Sequence, residues 1–191
     1  MIKTPLSFIL PITDGFNLKK NGYAPKSKRA PYEGGVRTPI MFKLPGVIQP
    51  EMNNSTLVSN IDLVPTVLQL LEITEYELPG VDILDREKLN KREALFIECY
   101  NVDILNTENP SETVLYKVAI NEKWKLILPN TKMVIRDFKT PKEQYYIYYS
   151  NQPQLFDLKN NSAEQVNLAK EYPKIVATMS HQIDEWWQPA D

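Results

Sequence analysis

Four short β-rich runs, Ala94–Cys99, Val114–Ile120, Trp124–Leu128 and Gln154–Leu158, precede a closing segment in which Ile175, Met179, Ile183 and Trp187 recur at fourfold spacing. Runs of β-branched and aromatic residues of this length, bounded by turn residues, make strands. Asn121-Glu122-Lys123 is short enough to join two of them as a hairpin. A fourfold apolar repeat gives a helix one apolar face. Residues 93–191 therefore predict a small antiparallel sheet covered by a C-terminal helix that starts near Ala163 or Pro173 and ends at Trp187. Met179 and Trp187 read as packing residues of that face.

The first half offers no such closure. Pro39–Pro45 reads as a short strand bounded by prolines, which suits an edge. Ser59-Asn60 can cap a helix over Ile61–Glu72, with Ile61, Val64, Leu68 and Leu71 on one face and Pro65 in the early turns, where it does least damage. Glu75–Asn90 is polar and turn-rich around Pro79-Gly80 and reads as a connecting loop. One strand and one helix cannot cover both faces of a sheet, so residues 1–92 are expected to be the end of a larger α/β layer. The fold class is α/β, with an α+β C-terminal unit over 93–191.

Composition excludes several functions. The 191 residues carry a net charge of -2 and no Lys/Arg run that could follow a phosphate backbone, which argues against a nucleic-acid partner. The single cysteine, Cys99, sits in a strand-like run and reads as a buried thiol. The single histidine, His181, lies in the last helix, so no His cluster exists for a transition metal or a Ser-His pair. Met1-Ile-Lys3 and Leu6–Ile12 imitate a signal peptide, but Pro11 interrupts the apolar run and no small-residue cleavage site follows. No apolar stretch reaches the roughly 20 residues that span a bilayer.

Charge and backbone punctuation concentrate in Ser27-Lys-Arg-Ala-Pro-Tyr-Glu-Gly-Gly-Val-Arg-Thr-Pro39. This stretch resembles the lysine and EGG segment of the formylglycine-dependent sulfatases. In the family's order follow Leu44-Pro-Gly46, Asn60-Ile-Asp-Leu-Val-Pro-Thr66, Leu78-Pro-Gly-Val-Asp-Ile83 and Gln154-Leu-Phe-Asp157 through Asn167-Leu-Ala169. The resemblance runs from about Asn17 to Trp187 and covers the C-terminal part of the family. It implies an alkaline-phosphatase-like α/β domain end followed by the antiparallel unit, and a sulfated small molecule or glycan as the full enzyme's substrate. It also implies that Lys28 contacts the sulfate, where a fixed ammonium stabilises charge developing on the oxygens. Gly34-Gly35 would let the chain turn tightly, with Glu33 and Arg37 fixing the turn by ion pairing.

The family's Cys/Ser-x-Pro-x-Arg nucleophile motif and its first calcium carboxylates are absent from this sequence, so the chain alone is expected to be inactive. Of the second calcium pair, Thr13-Asp14-Gly15 retains Asp14 as a degenerate ligand position, and one carboxylate is too few for calcium. Calcium belongs to the full-length family and is not expected on this chain. Shifting the frame of one possible back-translation of Lys3–Asp14 yields a family-like strand and calcium motif, so residues 1 to about 14 are expected to be an out-of-frame reading. A missing N-terminal portion or a partner chain would complete the enzyme. The alternative is a non-catalytic module that binds an anionic glycan or a partner chain. A related phosphohydrolase or phosphoethanolamine transferase would need histidines that the chain lacks. The family's bacterial members are commonly exported. Tyr145–Tyr149 reads as core or hairpin packing rather than a sugar platform.

Overall fold

The computed structural model describes residues 7–9, 16–17, 22–23, 26–27, 30–100, 108–130 and 150–188. In chain order the elements are β1 (Ser7–Ile9), β2 (Phe16–Asn17), β3 (Gly22–Tyr23), α1 (Glu33–Val36), β4 (Met41–Lys43), α2 (Leu63–Leu70) and α3 (Arg86–Asn90), then β5 (Leu95–Tyr100), β6 (Val114–Ile120), β7 (Trp124–Pro129), β8 (Gln154–Asp157) and α4 (Pro173–Trp186). They fall into two compact units that follow contacts rather than chain order: residues 1–12 with 38–95, and 13–37 with 96–191.

The second unit is built on a four-stranded sheet in the order β5-β6-β7-β8. β6 and β7 pair antiparallel with Val118 opposite Ile127 and Ala119 opposite Leu126, and β7 and β8 pair antiparallel with Leu126 opposite Leu155. The expected hairpin forms at Asn121, whose side-chain oxygen accepts from the backbone N–H of Lys123 and Trp124 at 2.9 and 2.7 Å. Side-chain alternation sends Ala119, Leu126 and Leu155 to one face, where they pack with Met179 and Ile183 of α4 and with Trp124, Leu128 and Ile175 at the margin. Phe96 stacks on Trp186 with ring centroids 5.0 Å apart. Lys117 lays its ammonium 3.9 Å from the centre of the Trp187 ring. The opposite face carries Tyr116, Val118, Ile127 and Phe156, all buried. Burial on both faces explains why Val-Leu-Tyr-Lys-Val-Ala-Ile shows no clean polar alternation. The closing helix starts at Pro173, where a proline in the first turn costs no hydrogen bond. On β5, Cys99 is half-buried rather than in the core, and desolvation still pushes its thiol up to about 11, away from the thiolate a nucleophile needs.

In the first unit, among the described residues, β4 pairs with β1 alone, antiparallel, with Phe42 opposite Phe8. α2 is entered through a 3₁₀ turn at Asn60–Asp62. It ends in a Schellman arrangement: Glu72 adopts φ 61°, its N–H bonds the Gln69 carbonyl, and the Ile73 N–H bonds the Leu68 carbonyl at 2.9 Å. The loop expected over Glu75–Asn90 contains α3, a correction to the sequence reading. Its five residues are too few and too charged to show a period, yet Asp85 caps it by accepting from the Lys88 N–H at 3.0 Å, and Leu89 is buried.

Candidate functional site

The EGG segment is fastened to the second unit's sheet on the face opposite α4. Tyr32 is buried, its ring centroid lies 6.1 Å from that of Phe156, and its hydroxyl donates to Oε1 of Gln154 at 2.8 Å. Burial, ahead of the Gln154 bond that opposes it, pushes this phenol up to about 12. Next to it, Glu33 accepts from Nζ of Lys125 at 3.0 Å, and the backbone N–H of Glu33 donates to Oε2 of Glu164 at 2.7 Å. Oε1 of Glu164 lies 2.9 Å from the same Lys125 ammonium, an ionic contact without hydrogen-bond geometry. Lys125 has no exposed side-chain surface, so two carboxylates close on one dry ammonium. Lys26 completes the cluster: its ammonium donates to the Glu164 backbone carbonyl and sits 4.6 Å from the Tyr32 ring centre. Burial pulls the Lys26 ammonium below its ordinary value, with Glu164 opposing and Lys125 reinforcing the shift.

The two glycines serve close approach. A Cβ on Gly34 would stand 2.7 Å from the Lys26 carbonyl oxygen, and one on Gly35 would stand 2.2 Å from that of Ala30 and 2.5 Å from that of Ser27. The Ala30 N–H donates to the Ser27 carbonyl at 3.0 Å. Only glycine lets α1 lie this tightly on the chain that precedes it. The expected Glu33–Arg37 pair is present but long, 3.6 Å with Arg37 largely exposed. The stronger partner of Glu33 is Lys125, which the sequence reading did not single out. One signal was available, since Lys125 is a charged residue inside the apolar run Trp-Lys-Leu-Ile-Leu.

Lys28 and Asp14, and the aromatic run Tyr145–Tyr149, lie outside the described residues. Among the described residues no group of three or more His, Cys, Asp or Glu is placed to hold a metal. Glu33 and Glu164, which converge, do not fit calcium, because the Lys125 ammonium already stands between them. His181 is exposed on α4 beside Glu185 at 3.3 Å.

Two further motifs of the sequence reading turn out to be halves of one joint in the first unit. The Asp62 carboxylate is fully buried and accepts from the Ser59 N–H at 2.7 Å, the Val81 N–H at 2.9 Å and both Arg92 terminal nitrogens at 2.7 Å. Burial alone would raise this carboxyl, but the Arg92 hydrogen bonds and the two backbone N–H groups hold it below the usual carboxylate range. One turn on, Thr66 donates to the Asp62 carbonyl and accepts from the Ile83 N–H at 2.8 Å. Gly80 sits where a Cβ would meet the Ile61 carbonyl oxygen at 2.2 Å. Asn-Ile-Asp-Leu-Val-Pro-Thr thus holds Leu-Pro-Gly-Val-Asp-Ile through the side chains of Asp62 and Thr66.

The family model for the C-terminal region of N-sulphoglucosamine sulphohydrolase matches residues 23–128, more than half of the chain. The chain belongs to this sulfatase family. A sulfatase of Formosa agariphila is 28% identical over 175 residues, covering 81% of this chain and 28% of the relative. An N-acetylgalactosamine-6-O-sulfatase of Bacteroides thetaiotaomicron is 26% identical over 169 residues, covering 86% of this chain and 31% of the relative. A solved 6S-sulfatase structure from glycosaminoglycan metabolism in Bacteroides thetaiotaomicron superposes with a TM-score of 0.59 at 24% identity, over 84% of this chain and 31% of that one. It shares the sulfatase, alkaline-phosphatase-like fold. The chain therefore spans under a third of the length of the curated relatives it matches.

Proposed function

We propose that the chain supplies the sulfate-binding lysine, Lys28, of a sulfatase whose nucleophile is carried by sequence not contained in these 191 residues, and that it hydrolyses no sulfate ester alone. One observation carries this reading: the residues on both sides of position 28 are tied to the second unit through Lys26, Tyr32 and Glu33. An ammonium can stabilise developing charge only if its surroundings do not have to reorganise during the reaction. The described flanks, residues 26–27 and 30–37, are held by the Lys125 ion cluster and by two close-packed glycines, which suits that demand. The substrate class is a sulfated sugar, in keeping with the name of the N-acetylgalactosamine-6-O-sulfatase relative. Calcium in the complete enzyme would draw its ligands from the upstream sequence.

Purified chain given an aryl sulfate is expected to show no turnover above background, and turnover that persists through rigorous purification overturns the reading. Supplied with the upstream portion of the N-acetylgalactosamine-6-O-sulfatase relative, it is expected to support turnover that falls at least about a hundredfold on Lys28→Ala, the usual scale for a lost charge-stabilising donor. Unchanged turnover in that variant removes Lys28 from the site.

A further inference from the structure

The end of the second unit's sheet where β6 turns into β7 carries an aromatic corner with an ammonium at its edge. Trp124 opens β7, and its ring lies 5.1 Å from that of Tyr172 between centroids, the two planes tilted by 48°. Tilted ring pairs of this kind attract each other. Both backbones are tied down. The Trp124 N–H donates to the Asn121 side chain at 2.7 Å, and the Tyr172 N–H donates to the Leu168 carbonyl at 3.1 Å, just before Pro173 restricts the chain. Trp124 packs against the core, whereas Tyr172 stays 42% exposed.

Lys123 places its ammonium 4.7 Å from the centre of the Trp124 ring, with 46% of its side chain in water. Oδ2 of Asp157 lies 3.6 Å from that ammonium, beyond hydrogen-bond reach. The Asp157 carboxylate is committed elsewhere: it accepts from the backbone N–H of Lys159 and Asn160, both at 3.1 Å, and from Nδ2 of Asn160 at 2.9 Å. Among the described residues the Lys123 ammonium therefore has a charged neighbour and no hydrogen-bond acceptor. Lys159, on the turn after β8, meets Oε2 of Glu122 at 3.3 Å, an exposed pair that an incoming anion can replace.

We propose that Lys123, Trp124, Tyr172 and Lys159 form a sugar-binding subsite for a sulfated saccharide. The class of ligand rests on the reading of the chain as part of a sulfatase acting on sulfated sugars. A pyranose has a face of polarised C–H bonds that settles on the negative face of an exposed phenol ring. A sulfate ester supplies charged oxygens to an ammonium whose donors are unspent. The ring pair is already fixed, so little conformational freedom is lost when a sugar binds. A nucleic acid could stack on the same rings, but two lysines on a chain of net charge -2 give no track for successive phosphates.

The test titrates the isotope-labelled full chain with a chondroitin hexasaccharide sulfated on its N-acetylgalactosamine units and follows the indole N–H resonances. Trp124 is expected to shift saturably, whereas Trp186 and Trp187, at the far end of α4, stay in place. Lys123→Gln is expected to weaken binding about tenfold and Tyr172→Ala about fivefold. Lys123 is exposed, so its variant should fold as the wild type does, which an unchanged Tm checks. The desulfated hexasaccharide is expected to bind at least about fivefold more weakly. The same losses are expected in a Lys28→Ala chain, where the proposed sulfate contact contributes nothing. Absence of a saturable Trp124 shift at millimolar glycan, equal shifts of all the indoles, binding indifferent to Lys123→Gln or to Tyr172→Ala, or equal affinity for the desulfated sugar overturns the proposal. So does a single-stranded oligonucleotide that binds the corner more tightly than the glycan, which would make nucleic acid its occupant. Binding that vanishes with Lys28→Ala and ignores the corner variants also overturns it, while supporting the role of Lys28. Binding that needs the corner, in an assembled enzyme whose turnover ignores Lys28→Ala, keeps the subsite and removes only that role.

Discussion

The two amphipathic helices, α2 and α4, carry apolar stripes of similar spacing and end in opposite situations. In α4 the stripe meets a sheet: Met179 is 2% and Ile183 0% exposed. In α2 Val64, and Leu71 at its end, meet water, whereas Pro65 and Thr66 are buried and Thr66 joins the polar contacts of Asp62 and Arg92. Apolar periodicity states that a face will be covered and is silent about which chain covers it. The second unit holds its own cover. The first unit buries Leu44, Ile83 and Leu89 beside that polar joint and leaves an aliphatic stripe in water. At roughly 25 cal/mol for each Å² kept in water, such a stripe is a standing cost that a partner would relieve.

The contrast can be broken first at the dry ion cluster. Lys125→Met strands the Glu33 and Glu164 carboxylates in a buried site, and breaking a buried pair from one side costs about 3–5 kcal/mol. Urea unfolding should read a loss of that size, and a change below about 1 kcal/mol would mean that water reaches the cluster. Next comes the helix comparison itself. Ile183→Ala should cost about 2–5 kcal/mol as a core truncation, whereas Val64→Ala should stay within about 0.5 kcal/mol as a surface one. Equal costs would erase the distinction between the helices.

A smaller effect follows pH in both units, since Asp157 of the second is also held below the usual carboxylate range, by its Asn160 hydrogen bond first. The folded Asp62 carboxyl is held below its ordinary value, so its contribution is fully present above the unfolded aspartate value of about 3.9 and is lost as pH falls through the folded one. Stability of the first unit should therefore drop below about pH 4, and Asp62→Asn should flatten that part of the profile. An unchanged profile in the variant would show that other carboxylates dominate. Smallest of all is the expected response to calcium. Sub-millimolar calcium should leave the Tm in place, because a ligand stabilises the native state only above its dissociation constant. A clear rise would show that Asp14 is joined by ligands outside the described residues.

Much of the second unit was legible from sequence because its signals are local. β-branched runs marked the strands, and the spacing of Met179 and Ile183 marked the helix and the face it buries. α3 was not legible, since five residues, three of them charged, show no period and its cap is a single Asp85 contact. Lys125 was hidden for a different reason: its partners Glu33 and Glu164 stand far away in the chain, and a lysine in a strand ordinarily reads as an outward-facing residue. The motifs around Asp62 and Val81 were visible as separate words, and only the folded chain shows that they bond each other. The resemblance found the family and the EGG segment, whose described residues the anchor explains. Its two named site positions, Lys28 and Asp14, lie outside the described residues.

Native-state hydrogen exchange on the isolated chain tests the central claim most directly, that the first unit leaves the aliphatic side of α2 in water while the second covers its own sheet. The account predicts slow exchange in Val114–Ile120 and Trp124–Leu128 and fast exchange over residues 38–90 of the first unit, with α2 among them. Equal protection in Leu63–Leu70 and in Val114–Ile120 would contradict it.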